Sequence, residues 1–188
     1  MDESLQAFLK GLAPFNESEL DEADSLFTYT VVKKDCFFLK AGHYSDRIGY
    51  VKSGLLRSYF ESDNRVTTTF FATPGTITVD LHSFLKQIPS KESIHALEET
   101  EVFFIKRQPL YDMYQGNWKW QQVGRLLMEH YFVESEERTI RLQSMSAHDL
   151  YAYFVKQHPD IVRIASLSYI ASYLGMTPET LSRIRRGK

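Results

Sequence analysis

The sequence predicts an α+β protein in which a β-rich domain is followed by a long helix and a helix-turn-helix unit. Short runs of β-branched and aromatic residues, separated by turn residues, extend from about residue 28 to residue 106 and are typical of a sandwich or barrel-like domain. Residues 118–145 contain no proline and one glycine, which predicts a single long helix. The end, "IASYLGMTPETLSRIRRGK", has the spacing of two short helices joined by a tight turn.

The composition of the 188 residues is that of a folded chain with one large or two small domains, because 43% are hydrophobic and 14% aromatic. Cys36 is the one cysteine, which excludes an internal disulfide and a cysteine zinc site, and a buried thiol in a strand is expected there. No apolar run reaches the roughly 20 residues that cross a bilayer. The first residues lack the pattern of a secretory signal, so a cytoplasmic location without membrane contact is expected.

Charge is distributed unevenly along the chain, although the formal net charge is only -2. Residues 1–24 carry one lysine against seven acidic residues, whereas residues 146–188 carry six basic residues against three acidic ones. A basic segment on a nearly neutral chain indicates a polyanionic partner. A solvated helix face is the alternative explanation.

Helical periodicity marks the segments on both sides of the β-rich region. "SLQAFLKGL" and "NESELDEADSLF" predict two short helices before it. In the long helix, Trp120, Val123, Leu127 and Tyr131 lie three or four residues apart and form one apolar stripe. This stripe predicts pairing between the long helices of two copies. The alternative is that the stripe packs on the β domain of its own chain.

The last segment satisfies the requirements of a helix-turn-helix. Ala171 is a small residue for the close helix crossing, and Gly175 can take the positive φ of the tight turn. Thr177 is a suitable N-cap for the second helix, and Pro178 suits its first position. The apolar contacts between the helices are predicted to come from Ile170, Leu174, Met176, Leu181 and Ile184. Upstream, "SAHDLYAYFVKQHP" predicts a further helix that begins with a capping box.

If Leu181 and Ile184 form the buried edge of the second helix, its other residues face solvent or a DNA groove. Threonine, glutamate, serine and arginine hydrogen-bond base edges and phosphates. The unit therefore predicts binding to double-stranded DNA, with an ordinary helical hairpin as the alternative. The predicted DNA-contacting residues are Thr177, Pro178, Glu179, Thr180, Ser182, Arg183, Arg185, Arg186 and Lys188.

Taken together, these motifs resemble those of the Crp/Fnr superfamily of bacterial transcription regulators. The resemblance covers "FLKAGHYSDRIGYVKSGLLRSYF" with Gly42 and Gly54 at its turns, "IHALEETEVFFIKR", and "IASYLGMTPETLSRIRR". It implies a β-roll, a double-stranded β-helix like a jelly roll, at residues 1–115, a dimerisation helix at 116–145 and the DNA-binding domain at 146–188. The implied partners are double-stranded DNA, a second copy and RNA polymerase.

The resemblance also identifies a candidate effector pocket, formed by Val79, Asp80, Leu81, Ser90 and Lys91. Members that hold cyclic AMP carry Gly-Glu where this chain has Val79 and Asp80, and Arg followed by Ser or Thr where it has Ser90 and Lys91. Ser90 brings no charge to a cyclic phosphate, and Lys91 lacks the bidentate fork of arginine. Cyclic AMP is therefore not expected to bind, whereas an unidentified small-molecule effector, such as a different anion held by Lys91, is left open.

Two further classes of site are not expected. The six histidines show no metal-ligand spacing. No nucleophile–base pair or phosphate loop is present, so the chain is not expected to be an enzyme. The alternative to a regulator is a ligand-binding or protein-interaction module without DNA binding. The small β-wing that follows the recognition helix in the family is also expected to be missing after Lys188, with the four terminal cations as its substitute.

Overall fold

The computed structural model describes residues 1–62 and 65–187, and it has the α+β architecture that the sequence predicts. The strands are β1 Phe27–Val32, β2 Phe37–Leu39, β3 Arg47–Ser53, β4 Leu56–Ser62, β5 Arg65–Ala72, β6 Ile77–Thr78, β7 Glu92–Ala96 and β8 Thr100–Lys106. The helices are α1 Glu3–Leu12, α2 Glu17–Asp24, α3 Leu81–Lys86, α4 Arg107–Gly116, α5 Trp118–Ser144, α6 Ala147–Gln157, α7 Pro159–Ile164, α8 Leu167–Tyr173 and α9 Pro178–Arg185.

The strands form two four-stranded antiparallel sheets, with the orders β1-β8-β3-β6 and β2-β7-β4-β5. Small and β-branched residues fill the space between them, as the alternation of facing residues along strands requires. This inner core consists of Val32, Val51, Leu56, Ala72, Ile94, Ala96 and Val102. The two sheets thus form a β-roll, and the part of its interior occupied by these residues is apolar.

The turn between β3 and β4 shows why the chain carries glycine at residue 54. Gly54 has φ +90°, and a Cβ built there would lie 2.5 Å from Thr100 Oγ1 and 2.6 Å from the Glu99 carbonyl oxygen. A side chain would therefore be strained by the backbone conformation and would also collide with the neighbouring turn. Gly42, the other glycine of this motif, also has positive φ.

A second apolar cluster joins the N-terminal helices to the start of α5. The Trp120 ring lies 4.8 Å from the ring of Phe15 and 6.4 Å from that of Phe27, centroid to centroid. Val123 is buried in the same cluster, and Leu127 packs against it. The apolar stripe of α5 was predicted to pair with a second copy, with packing on its own chain as the alternative. The structure shows the alternative for Trp120, Val123 and Leu127. Of the four residues of the stripe, only Tyr131 is exposed.

Several local features differ from the sequence-based predictions. Helices α3, α4 and α7 were not predicted; α3 and α7 have only six residues each, whereas α4 directly follows β8 and has no side-chain cap to mark its start. Cys36 is exposed rather than buried, since it follows a turn in which Asp35 takes a φ of 62° and lies just before β2. None of the helices in the described part of the chain is long and apolar enough to span a membrane.

The four C-terminal helices pack against the outer face of the sheet that contains β5. Phe71 of this sheet shares one core with Phe154 of α6 and Tyr173 of α8. Leu55 and Leu97, from the turns that border β4 and β7, complete the contribution of the β-roll to that core. The C-terminal helices and the β-roll are thus joined by apolar packing as well as by the chain.

Trp120 provides a test of the cluster between the N-terminal helices and α5. Replacing Trp120, which is 4% exposed, by alanine should lower the free energy of unfolding by about 3–5 kcal/mol because it leaves a large cavity. Trp118→Ala is the matched control, since Trp118 is 58% exposed and its removal should change stability by less than about 0.5 kcal/mol. Urea unfolding followed by circular dichroism at one protein concentration measures both. Equal effects of the two changes would contradict the packing described for Trp120.

Candidate nucleic-acid interface and effector pocket

The C-terminal unit consists of α8, a tight turn and α9. Ser166 caps α8 by accepting from the Tyr169 N–H, and Gly175 ends the turn with φ +68°. The Met176 N–H donates to the Ala171 carbonyl at 3.0 Å, which closes the end of α8 with a bond typical of a left-handed C-cap. The predicted roles of Ala171 and Gly175 match this geometry, because Ala171 is fully buried at the helix contact.

Helix α9 begins as its sequence predicts. Thr177 Oγ1 accepts from the Thr180 N–H at 3.2 Å, and Pro178 occupies the first helical position. Leu181 is fully buried in the core shared by Ile170 and Leu174. This contact fixes which side of α9 faces inward.

The opposite side of α9 is open to solvent and mostly basic. The exposed residues of the predicted set are Thr177, Pro178, Glu179, Arg183, Arg185 and Arg186, whereas Thr180 and Ser182 are half-buried and Lys188 lies outside the described residues. Hydrogen bonds from its own backbone N–H and from Thr177 hold the pKa of Glu179 below its ordinary value, and Arg183 lowers it further. The exposed face thus presents three guanidinium groups and one ionised carboxylate.

The candidate effector pocket lies where α3 meets β7. Asp80 is 6% exposed; one carboxylate oxygen accepts from the Ser83 N–H at 3.1 Å and caps α3. The other oxygen accepts from the Ser90 hydroxyl at 2.5 Å. Ser90 Oγ in turn accepts from the Glu92 N–H at 2.9 Å. Asp80 and Ser90, ten residues apart in sequence, are therefore brought together and satisfy each other.

The other three residues predicted for the pocket do not join this pair. Lys91 is exposed, so its ammonium group does not compensate the buried carboxylate. Val79 packs with Phe84 and its apolar neighbours, and Leu81 is half-buried in the first turn of α3. The pocket therefore has no cation from the predicted set.

Glu92 is a residue of this site that the sequence-based analysis missed. Burial raises the pKa of Glu92, the neighbouring Thr69 lowers it, and the nearby Asp80 carboxylate raises it. Two carboxyl groups thus occupy the region where a cyclic phosphate is expected to bind in the related regulators. The period of two along β7 is the signal that could have identified Glu92, because Ile94 and Ala96 of the same face are buried.

The described residues contain no group of three or more histidine, cysteine, aspartate or glutamate side chains that could hold a metal ion. The arrangement that remains consists of a basic helix face and a β-roll with an acidic interior site. A basic helix face is the kind of surface that can contact a polyanion.

Comparisons with known proteins cover both the β-roll and the C-terminal helices. Residues 29–117 match the cyclic nucleotide-binding domain family. A curated relative, the anaerobic regulatory protein of Haemophilus influenzae, is 28% identical over an alignment of 186 residues. The match covers 90% of this chain and 70% of that protein.

Solved structures of regulators share the fold over most of the chain. FixK2 from Bradyrhizobium japonicum superposes with a TM-score of 0.72 at 22% identity, covering 86% of this chain and 83% of FixK2. A Crp/Fnr-family regulator from Eubacterium rectale, described as putative, gives a TM-score of 0.71 at 18% identity, covering 92% and 83%. Residues 29–117 thus match the cyclic nucleotide-binding domain family, and the chain as a whole has the fold of a solved Crp/Fnr-family structure.

Proposed function

We propose that this chain is a homodimeric, DNA-binding transcription regulator of the Crp/Fnr type, with α9 as its recognition helix. The observation that carries the proposal is the division of α9 into a buried edge at Leu181 and an exposed face with Glu179, Arg183 and Arg186. A helix held by one edge and basic on the other fits the major groove of DNA. The regulatory relatives support this function and support the expectation that the chain is not an enzyme.

The exposed residues of α9 divide into two roles. Arg183 lies in the last turn of α9, where its guanidinium can form a bidentate pair with O6 and N7 of guanine. Arg186, at the C-cap, and the neighbouring Arg185 suit phosphate contacts that are independent of sequence. Contact with RNA polymerase, a cytoplasmic location and the division at residues 115 and 145 remain predictions that accompany this function.

We infer that the dimer forms through the outward side of α5 rather than through the stripe at its start. Met128 and Phe132 are exposed and lie four residues apart, and the small residues Ser135 and Thr139 continue the spacing toward Leu142. Alternating steps of four and three residues are those of a coiled-coil seam. A monomer would leave this row in water, and Phe132 alone is 65% exposed. Tyr131, the exposed member of the predicted stripe, lies beside this row.

We propose further that the β-roll does not take cyclic AMP. The resemblance places an arginine for the cyclic phosphate, in family members that hold cyclic AMP, at the position of Ser90, whose hydroxyl group here donates to Asp80. A phosphate placed there would face two carboxyl groups, those of Asp80 and Glu92, without a buried cation. Repulsion between like charges in a site partly shielded from water opposes binding.

Arg183 and Arg186 provide the test of DNA recognition. Arg183→Ala should cost roughly 1–3 kcal/mol per half-site and relax the preference at one base pair, because it removes the bidentate pair with one guanine. Arg186→Ala should weaken binding to all sequences alike and reduce the salt dependence by a log–log slope of about 0.9 for each phosphate that the protein no longer neutralises. Operator sites selected from a random pool, followed by titrations at several salt concentrations, measure both effects.

Arg163→Ala is the control for these two changes, because Arg163 is exposed on α7, outside the turn and α9. It should leave the selected sequence and the salt slope unchanged. Affinity that does not depend on salt would favour a protein-interaction module without DNA binding. An unchanged operator after Arg183→Ala would contradict the role of α9 as the recognition helix.

Phe132 provides the test of the dimer seam. Phe132→Glu should convert the dimer to a monomer at micromolar concentration, since it places two carboxylates opposite each other in the seam. His130→Glu changes an exposed residue on another side of α5 and should leave the dimer intact. Sedimentation velocity distinguishes the two species. A wild-type monomer at that concentration, or a dimer that tolerates Phe132→Glu, would refute the seam.

The acidic site provides the test of ligand choice. Wild-type protein should give no saturable heat with cyclic AMP at up to about millimolar concentration in calorimetric titration, since the site lacks a cation. The double variant Ser90→Arg/Glu92→Gln supplies the cation and removes one carboxylate, so its affinity should exceed that of wild type by at least about tenfold. A micromolar dissociation constant for the wild-type protein would overturn this part of the proposal.

A further inference from the structure

The edge strand β5 is joined to α8 by hydrogen bonds from a single side chain. The Ser172 hydroxyl accepts from the Thr68 N–H at 2.9 Å and donates to the Val66 carbonyl at 2.8 Å. These two backbone groups lie on the side of β5 that no strand pairs among the described residues. Ser172 thus takes the place that a neighbouring strand would otherwise fill, and it attaches the first helix of the helix-turn-helix to the β-roll.

Arg57 forms a second connection across the same interface. Its side chain is 2% exposed, and the guanidinium carbon lies 4.3 Å from the ring centre of Tyr59 and 3.8 Å from that of Tyr169 on α8. Nε donates to Thr68 Oγ1 at 2.8 Å, whereas Nη2 has no hydrogen-bond partner among the described residues. A buried cation held between two rings is favourable only while both rings stay in place, because burial of the charge is itself costly. The guanidinium therefore depends on the position of α8.

The interface is continuous with the interior of the β-roll. Thr68 on β5 contacts Ser172 and Arg57, and the next residue, Thr69, lies near enough to Glu92 of the acidic site to lower the pKa of that carboxyl group. The pairing of β5 with β4 shifts register at this point and leaves Thr69 unpaired, so that Thr68 and Thr69 approach groups on different sides of the sheet. Movement of β5 in response to the interior site would be transmitted directly to α8.

We propose that Arg57, Tyr169 and Ser172 form a latch that fixes the orientation of the helix-turn-helix relative to the β-roll. The three residues act on DNA recognition through position and make no contact with DNA. In a dimer, two latched units present their α9 helices at one separation, and a DNA site with half-sites about 34 Å apart requires such a fixed separation. The consequence for DNA spacing rests on the proposed function, whereas the latch itself does not.

The latch is tested by opening it in the full-length protein. Tyr169→Ala/Ser172→Ala removes the ring under the guanidinium and both hydrogen bonds to β5. Amide hydrogen exchange of residues 65–72 should then increase at least about tenfold, because the outward Thr68 amide loses its acceptor. Helices α6, α8 and α9 should keep their protection, because their amides bond within each helix. The conservative variant Tyr169→Phe/Ser172→Thr keeps the ring and the hydroxyl, and it should exchange like wild type.

A second readout uses operators that differ only in the spacing of the half-sites. The wild-type protein should lose at least about tenfold in affinity when two base pairs are inserted, and the alanine double variant less than about threefold, with the same preferred half-site sequence. Ser168→Ala, an exposed change on the same helix, should behave like wild type in both experiments.

The possible outcomes distinguish the latch from DNA binding, the proposed function on which the prediction about half-site spacing depends. Unchanged exchange in residues 65–72, or reduced protection in α6 and α9, would overturn the latch, since the residues would then be dispensable or merely structural. Retained spacing discrimination in the alanine double variant would overturn it as well. If the wild-type protein binds no operator, but residues 65–72 exchange faster in the alanine double variant than in wild type, the latch is supported and DNA binding is refuted.

Discussion

The C-terminal helices take part of their core from the β-roll, and the packing of Phe71 against α6 and α8 is the central contact. The ring of Phe71 lies on the outer face of the β-roll, 5.3 Å from the ring of Tyr173 and 6.4 Å from that of Phe154. Because these rings belong to α8 and α6, the sheet supplies part of the core that the small helical unit needs for its own stability. The core of this helical unit is therefore continuous with the outer face of the β-roll.

The interior of the β-roll contrasts with that apolar contact. Its candidate pocket contains a capped aspartate, a serine bonded to that aspartate and a glutamate whose pKa burial raises. The fold of a cyclic nucleotide-binding domain is kept, because the turns and the apolar inner core hold it. The candidate pocket is formed by other residues, with the carboxyl groups of Asp80 and Glu92 and no cation from the predicted set. Fold and ligand are thus determined by different residues, which is why the family of a chain does not determine its effector.

Local signals in the sequence predicted the parts of the structure that depend on neighbouring residues. The cap at Thr177, the proline at the start of α9 and the turn at Gly175 all match, because caps and tight turns are set by a few adjacent residues. The sequence also predicted which side of α5 is apolar, namely the side with Trp120, Val123 and Leu127. What covers the stripe was not, because periodicity identifies an apolar side and contains no information about its partner.

The site residues that sequence analysis missed are those whose partners lie far away in sequence. Arg57 meets Tyr169 and Thr68 meets Ser172 across more than a hundred residues, and no local pattern indicates such pairs. Glu92 is an intermediate case, since its place in β7 indicates the direction of its side chain but not the acid beside it. The domain boundaries and the DNA-contacting roles of α9 remain predictions, because a single chain without its partner does not test them.

The Ser172 contact has a consequence for the behaviour of the protein in a crowded solution. An edge strand that nothing covers presents unpaired N–H and carbonyl groups, which pair readily with other chains and lead to aggregation. In this protein a serine on a helix satisfies those groups on β5, where Val66 and Phe70 are also exposed. Removing the C-terminal helices, by truncation or by proteolysis, would expose the edge strand β5 with its unpaired backbone groups. The remaining β-roll would then tend to self-associate even though its own two-sheet core is complete.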